Sequence, residues 1–307
     1  MTTFDESRTQ RQSSDRTGAS SATGLSFTSS LKPVLVFFLV STFAVPVLFV
    51  VADQLLPRMP FWSRLFTATA ITSIAVFAWG VLRWEGLSAG DVGLDRNRLV
   101  SGTVSVVVIW FVINVLSYAL LAFRGEQATL GLPASPTNGL PVGASPTQVA
   151  GMAITLWIFV GIAEEFAFRG YFQNKLVALT GGGTDRVRTA AGIVLAAVFF
   201  ALWHLPQMVA VRGIVGLEMI PALLALTIYT VILGTLYELT RNIVFVGLLH
   251  GTLDLHPIFV VGETGATVPE LGLLVYPLII VTVVLYRRWA KTERTADFRP
   301  QTTGGTE

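Results

Sequence analysis

Long apolar runs separated by short polar segments make up most of the chain between residues 31 and 290. A helix needs about 20 apolar residues to cross the hydrocarbon core of a bilayer, so each run predicts a membrane-spanning helix. The runs are Leu31–Val51, Leu65–Leu82, Leu99–Phe123, Val149–Leu179, Ala190–Val211, Met219–Leu239, Ile243–Gly262 and Val268–Tyr286. The pattern predicts an all-α fold, a polytopic membrane protein with a bundle of about eight transmembrane helices. The fourth run is longer than one crossing requires, and we expect its second half to emerge from the membrane.

The polar segments indicate how the ends and loops of the bundle are arranged. Residues 1–30 are rich in Ser, Thr, Gly, Arg and Asp, which predicts a disordered tail, and residues 291–307 form a second polar tail. The Pro- and Gly-rich segment Gly131–Pro146 predicts the longest outer loop. With a cytosolic N-terminus, 16 of the 21 Lys and Arg residues lie in cytosolic segments and 4 in outer segments. The positive-inside rule therefore predicts a multi-pass protein of the cell membrane with both termini in the cytosol.

Composition agrees with a membrane protein and excludes several kinds of chemistry. Charged residues make up 13% of the chain, whereas a soluble domain has about 25%. The chain has no cysteine, which excludes disulfides, zinc–thiolate sites and cysteine nucleophiles. No basic cluster has interleaved aromatic residues, so we expect the lipid bilayer, and not a nucleic acid, to be the surface that the protein contacts.

Several ionisable residues lie inside or beside predicted spans, where a charge at the helix centre costs about 2.5–3.5 kcal/mol. They are Glu164, Glu165, His204, His250 and Asp254. Glu165 and Arg169 are four residues apart, acid first, which favours an ion pair on one helix face. Glu164 is rotated about 100° away on an α-helix, so its carboxylate is left over and suits general-base chemistry.

Three of the spans carry these groups at comparable depths. At about 1.5 Å per residue, Glu164 and His204 each lie roughly 24 Å along their helices from the loop between them. Asp254 lies roughly 20 Å, and His250 roughly 13 Å, beyond Arg241 on the seventh span. These distances are compatible with one shared site inside the bundle. We expect a water-filled cavity there that opens toward the cytosol or laterally to lipid.

The motifs around these residues resemble those of a known family. They are E-E-F-A-F-R-G-Y-F-Q at Glu164–Gln173, F-A-L-W-H-L-P at Phe200–Pro206 and Y-E-L-T-R-N-I-V-F-V-G-L-L-H-G-T-L-D at Tyr237–Asp254. Their order over about 90 residues resembles the CPBP family of intramembrane glutamic proteases, which includes type II CAAX prenyl endopeptidases and bacteriocin-processing, abortive-infection-like relatives. The resemblance implies a membrane-embedded endopeptidase whose protease core covers about residues 147–262. Its substrate would be a peptide or protein, membrane-associated or lipidated.

The resemblance also implies a role for each matched residue. Glu164 would be the general base that activates water, assisted by His204, and Glu165 with Arg169 would be a supporting ion pair. His250 and the residue at position 254 would stabilise the oxyanion. The prenyl proteases have Asn at that last position, whereas this chain has Asp254. An amide can donate a hydrogen bond to an oxyanion, but an ionised carboxylate can only accept one. Either Asp254 is protonated or it orients His250.

Other interpretations of the same residues remain open. We expect no cofactor, but Glu164, His204 and His250 form a His₂Glu set of the kind that binds catalytic zinc, although the chain lacks H-E-x-x-H. A non-catalytic membrane scaffold or immunity protein that binds a peptide is a second hypothesis, which Asp254 favours. A proton-coupled transporter is a third, because buried acids and histidines also relay protons. His256, which precedes Pro257, is expected to mark a helix bend or edge.

Overall fold

The fold is a bundle of helices that follow the predicted apolar runs one by one. In the computed structural model the described residues are 25–55, 60–133, 140–141, 143–210, 212–262, 272–289 and 299–303. Their eight helices are α1 Lys32–Leu55, α2 Pro60–Trp84, α3 Arg96–Phe123, α4 Pro146–Leu179, α5 Arg186–Ala210, α6 Met219–Thr240, α7 Ile243–Asp254 and α8 Gly272–Trp289. The short strands are β1 Ser26–Phe27, β2 Thr129–Leu130, β3 Val260–Val261 and β4 Gln301–Thr302.

The outside of the bundle is suited to lipid. Within the described residues, four helices are long and apolar enough to cross a bilayer, namely α3, α4, α5 and the unit Gly216–Thr240 that contains α6. Shorter apolar helical stretches lie at Lys32–Leu48, Ala68–Trp84 and Ile243–Asp254. Large apolar side chains point outward on several helices, such as Phe43 and Phe111, which are 62% and 66% exposed. An all-α membrane protein therefore fits, and the number of eight crossings stays a prediction.

The seventh apolar run is a helix for only part of its length, and the expectation of a helix through Gly262 is wrong. Helix α7 ends at Asp254 after 12 residues, about 18 Å. Pro257 disfavours helical backbone at the preceding residue, so the chain continues in an extended form. Asn114 of α3 pairs this segment: its amide donates to the Pro257 carbonyl (2.9 Å), and its oxygen accepts from the Phe259 N–H (2.7 Å). Buried irregular backbone is tolerated in a membrane bundle when neighbouring side chains satisfy it in this way.

The segments next to the two tails are ordered and pair with each other. Strands β1 and β4 run parallel, with the Gln301 N–H bound to the Leu25 carbonyl at 2.8 Å. Residues 25–28 and 299–303, which the sequence assigned to polar tails, therefore have defined structure. The rest of both predicted tails, at residues 1–24, 290–298 and 304–307, lies outside the described residues. The same holds for most of the predicted loop between residues 134 and 142. Because β1 and β4 are paired, the two terminal segments lie at the same end of the bundle.

A buried charge cluster anchors β1 to the helices. Lys175, near the end of α4, pairs with Glu85, which follows α2, at 2.6 Å between Nζ and Oε1. Lys175 also donates to the Thr28 carbonyl at 2.6 Å, and the Thr28 N–H donates to Glu85 Oε2 at 2.8 Å. Sequence analysis counted Lys175 among the loop cations, but its side chain is fully buried. We call Lys175, Glu85 and Thr28 the terminal cluster.

Helices α4 and α7 pack backbone to backbone because glycines line their contact. A Cβ at Gly161 of α4 would collide with the Gly247 carbonyl of α7, and one at Gly251 would collide with the Leu156 carbonyl of α4. Gly247 and Gly251 form a G-x-x-x-G element, the spacing that allows helices in membranes to approach closely. This contact brings His250, which lies between the two glycines, against the middle of α4.

Candidate active site

Glu164 and Glu165 lie at a short regular turn between two wider turns of α4. The segments Ile154–Ile162 and Phe166–Gln173 are π-helical, with hydrogen bonds to the fifth preceding residue, and Ala163–Glu165 between them is α-helical. Sequence analysis treated this run as one regular helix, and the structure differs because the backbone is widened on both sides of the acidic pair. Such π-helical turns occur frequently at functional sites.

Glu165 contacts two basic side chains, Arg169 and His250. Its Oε2 lies 2.9 Å from Arg169 Nε, so the predicted same-face ion pair is present despite the wider turns. Its Oε1 lies 2.8 Å from His250 Nδ1 on α7. Sequence analysis missed this second contact, because the two residues are 85 positions apart and no local pattern relates them. Glu165 and Arg169 are almost fully buried, so the charges compensate each other inside the protein.

The two nitrogens of His250 face two different carboxylates. A carboxylate that is already paired with Arg169 accepts hydrogen bonds, so His250 Nδ1 donates to Glu165. On the other side of the ring, Nε2 lies 3.7 Å from Asp254 Oδ2, one helical turn further along α7. The predicted shared face of His250 and Asp254 is therefore present. A carboxylate at this position is placed to orient the imidazole or to compensate its charge.

His204 lies at a break in α5, and the break determines which of its nitrogens is available. The helical segment Arg186–Trp203 ends there and Leu205–Ala210 follows, because Pro206 has no N–H with which to continue the ladder. His204 Nδ1 lies 2.9 Å from the Phe200 carbonyl, which can only accept, so Nδ1 carries the hydrogen. Nε2 is consequently left with its lone pair as an acceptor.

Four of the predicted site residues line one cavity of about 650 Å³. They are Glu164, His204, His250 and Asp254, from helices α4, α5 and α7. Glu165 and Arg169 are not part of its lining and lie behind His250 and Phe200, with the Arg169 guanidinium 4.8 Å from the centre of the Phe200 ring. Acids and imidazoles that are distant in sequence thus meet at one cavity, as the depth of the spans suggested.

The cavity occupies the half of the bundle that faces away from the terminal strands. Along α4 its lining extends from Met152 to Glu164, whereas the terminal cluster contacts the opposite end of that helix at Lys175. Its wall on α5 continues toward Gln207 and Arg212, beyond His204. The lining determines the depth of the cavity in the bundle, and its opening toward the cytosol or laterally to lipid stays a prediction.

The lining also contains four polar residues that were not predicted from the sequence: Thr155, Gln207, Arg212 and Tyr229. Tyr229 lies on α6, a span without an ionisable residue between Met219 and Leu236, and a tyrosine in an apolar run is usually assigned to the lipid interface. Arg212 follows the end of α5 and was counted only as a loop cation. The G-x-x-x-G element of α7 was the available signal for the packing of α7 against α4.

The zinc interpretation requires three ligands that converge on one point. Among the residues that the structure describes, no group of three His, Cys, Asp or Glu side chains is close enough to hold a metal ion. We therefore derive no step through a metal, and the absence of a cofactor remains a prediction.

Comparison with known proteins adds an independent line of evidence. Residues 146–256 match the family model described as type II CAAX prenyl endopeptidase Rce1-like. No curated protein and no solved structure matches the chain. The matched segment begins with α4 and ends just after α7, so it includes every residue that sequence analysis assigned to the site. This match supports the predicted family: residues 146–256 are similar to the Rce1-like type II CAAX prenyl endopeptidases.

Proposed function

We propose that this protein is an intramembrane endopeptidase in which Glu164 and His204 activate the water that hydrolyses a peptide bond. The observation that carries the proposal is the shared cavity, to which three helices contribute two carboxylates and two imidazoles in a bundle whose exterior is apolar. Ionisable groups are costly in such surroundings and are retained mainly where they have a function. The Rce1-like family is a protease family, which makes peptide hydrolysis the chemistry that this site supports best.

The reaction needs a base, a donor to the oxyanion and a proton for the leaving group. Glu164, assisted by the free Nε2 of His204, accepts a proton from water while the water oxygen bonds to the peptide carbonyl carbon. His250, with Nδ1 held by Glu165, donates from a protonated Nε2 to the carbonyl oxygen as it becomes an oxyanion. The C–N bond then breaks, and the proton held by Glu164 passes to the departing amine. The products are a new carboxylate and a new amine.

The groups behind the cavity keep His250 in place during this cycle. Glu165 is fixed by Arg169 on its other oxygen, so the imidazole has one preferred ring orientation. Asp254, on the Nε2 side, compensates the charge of the protonated ring. This arrangement uses Asp254 as a positioning residue and does not require it to replace an amide donor.

The test of the proposed function is replacement of Glu164 by Gln, which keeps size and removes the basic carboxylate. Purified protein in proteoliposomes is incubated with a random peptide library, and new termini are identified by mass spectrometry. Because general-base catalysis contributes about 10²–10⁴-fold, we expect Glu164→Gln to lower cleavage by that factor. Glu126→Gln, at an exposed position after α3, is the matched control and should cleave like the unchanged protein. Unchanged cleavage by a folded Glu164→Gln variant would end the proposal.

The same assay separates the alternatives. Cleavage that persists after treatment with 1,10-phenanthroline supports the metal-free mechanism, whereas loss of cleavage that added zinc restores would support a zinc-dependent variant. The observation that favours a binding protein without catalysis is Asp254 at the position where the prenyl proteases have a hydrogen-bond donor. Peptides retained by the protein without any cleavage, equally with Glu164 and with Gln at that position, would favour this second function.

A further inference from the structure

Tyr229 presents an unused hydrogen-bond donor to the cavity. It lies on α6, a wall of the cavity to which the mechanism above assigns no role, and lines the same space as Glu164 and His204. Its ring stands edge to face against His250, with centroids 5.7 Å apart and an interplanar angle of 76°. Its hydroxyl oxygen is buried and forms no hydrogen bond with any residue that the structure describes.

A buried tyrosine hydroxyl without a partner is unusual, because such groups normally find one. Tyr237, two turns further along the same helix, shows the ordinary case. Its hydroxyl donates to the Val92 carbonyl at 2.9 Å and accepts from the Asn174 amide at 2.8 Å. Because Tyr229 lines the cavity, its hydroxyl is accessible to a group that enters the cavity, such as a water molecule or a bound ligand.

The chemistry of the cavity indicates which group would accept a hydrogen bond from the Tyr229 hydroxyl. Its carboxylates, Glu164 and Asp254, accept hydrogen bonds when ionised, and the free Nε2 of His204 also accepts. Only His250 is assigned to donate to the oxyanion, and one donor is fewer than such sites usually provide. A tyrosine hydroxyl is a neutral donor, and the Tyr229 ring is already placed beside His250.

We infer that Tyr229 is a catalytic residue that donates its O–H to the oxyanion of the tetrahedral intermediate, beside His250. The inference rests on the proposed function. The phenol keeps its proton throughout, so no bond at Tyr229 is formed or broken other than the hydrogen bond. Tyr229 thereby supplies the neutral donor that Asp254 cannot supply when it is ionised.

The experiment compares Tyr229→Phe with Tyr229→Leu. Phenylalanine removes only the hydroxyl and keeps the ring against His250, whereas leucine removes both. Loss of one oxyanion donor costs about 10²–10³-fold in kcat, so we expect Tyr229→Phe to lose that factor while KM and thermal stability change little. Tyr171→Phe is the matched control, because Tyr171 also has a buried hydroxyl without a hydrogen-bond partner among the described residues but does not line the cavity. It should cleave normally.

A second measurement tests the same inference without turnover. In the Glu164→Gln background, a phosphinate analogue of a cleaved peptide imitates the tetrahedral oxyanion, and the uncleaved peptide imitates the ground state. Replacing Tyr229 by Phe should weaken binding of the phosphinate at least tenfold and leave binding of the peptide unchanged. Equal effects on both ligands would contradict a role in the transition state.

The outcomes distinguish this inference from the proposed function. If cleavage requires Glu164 but Tyr229→Phe is as active as the unchanged protein, the inference is wrong and the proposed function remains. If only Tyr229→Leu is impaired, the ring merely positions His250, which also overturns the inference. If Glu164→Gln leaves cleavage intact or no peptide is cleaved, the proposed function fails and takes the inference with it.

Discussion

Helix α4 takes part in two buried charge clusters that differ in whether they contact the cavity. In the terminal cluster, Lys175 pairs with Glu85 at 2.6 Å, and both side chains are fully buried. In the middle of the helix, Glu165 pairs with Arg169 at 2.9 Å and with His250 at 2.8 Å, again with almost no exposure. The terminal cluster has no residue on the cavity that Glu164 lines, whereas His250 belongs to its wall. Burial and pairing of charges are common to both, so contact with the cavity is what distinguishes the second cluster.

The two clusters also differ in what they connect. The terminal cluster joins the strand segment at Thr28 to the ends of α2 and α4, and each of its groups is satisfied by another part of the protein. The second cluster, Glu165 with Arg169 and His250, holds an imidazole whose remaining nitrogen faces Asp254 and the cavity. We therefore expect the terminal cluster to determine stability alone and the second cluster to determine both stability and activity.

The largest difference in peptide cleavage between the two clusters is expected when one carboxylate in each cluster is neutralised. Removing one partner of a buried ion pair leaves an uncompensated charge and costs about 3–5 kcal/mol, so Glu85→Gln and Glu165→Gln should both destabilise the protein by about that amount. Only Glu165→Gln should also lower peptide cleavage, by up to about 10²–10³-fold, the cost of losing an oxyanion donor, because His250 loses its anchor. Stability is measured by denaturant titration in micelles and activity by the peptide assay. Equal activity of the two variants would remove the distinction between the clusters.

Replacing both partners of each pair should lower stability less than replacing one partner. Apolar or neutral residues of similar volume can substitute for a buried pair with little loss, so Glu85→Gln with Lys175→Met should regain most of the stability. Glu165→Gln with Arg169→Met should regain stability to a similar extent. Peptide cleavage should be normal in the first double variant and should stay low in the second. Recovery of cleavage in the second would show that Glu165 acts only by compensating Arg169.

The smallest effect on stability and peptide cleavage should come from adding one methyl group, which changes no charge. Gly251→Ala places a Cβ against the Leu156 carbonyl, so α7 must shift away from α4 and carry His250 with it. We expect a loss of about 1–3 kcal/mol in stability, as for other overpacked contacts, together with a moderate loss of cleavage. At Gly80 of α2 a Cβ would meet nothing within 4 Å, so Gly80→Ala should be neutral or slightly stabilising. Normal cleavage by Gly251→Ala would show that the close contact between α4 and α7 is not needed to place His250.

Those features of the site that depend on local spacing were predictable. The pair Glu165–Arg169 follows from four-residue spacing on a helix, and the pair His250–Asp254 follows in the same way. The convergence of α4, α5 and α7 was suggested by the depth of their ionisable residues and by the cost of leaving such residues in lipid. Each of these inferences uses one helix at a time, and each agrees with the geometry of the structure.

The features that were missed depend on contacts between distant segments. The bond from His250 to Glu165 and the position of Tyr229 beside His250 require helices to be placed side by side, which periodicity within one helix does not determine. The early end of α7 depends on Asn114 of α3, which satisfies the extended backbone after Asp254. An asparagine in an apolar run has no obvious partner until the fold brings Pro257 next to it.

By itself the sequence determined that the chain is a helical membrane protein, that Glu164 is a carboxylate without a local partner, and that its motifs resemble those of the CAAX proteases. Hydrophobic length, helical spacing and motif order are local properties, and the chain carries them before it folds. Only the tertiary structure decided that Glu165 serves both Arg169 and His250, that the cavity faces away from the terminal strands, and that Tyr229 offers its hydroxyl there. The reason is that close packing through glycines sets which helix faces meet, and that packing is a property of the whole bundle.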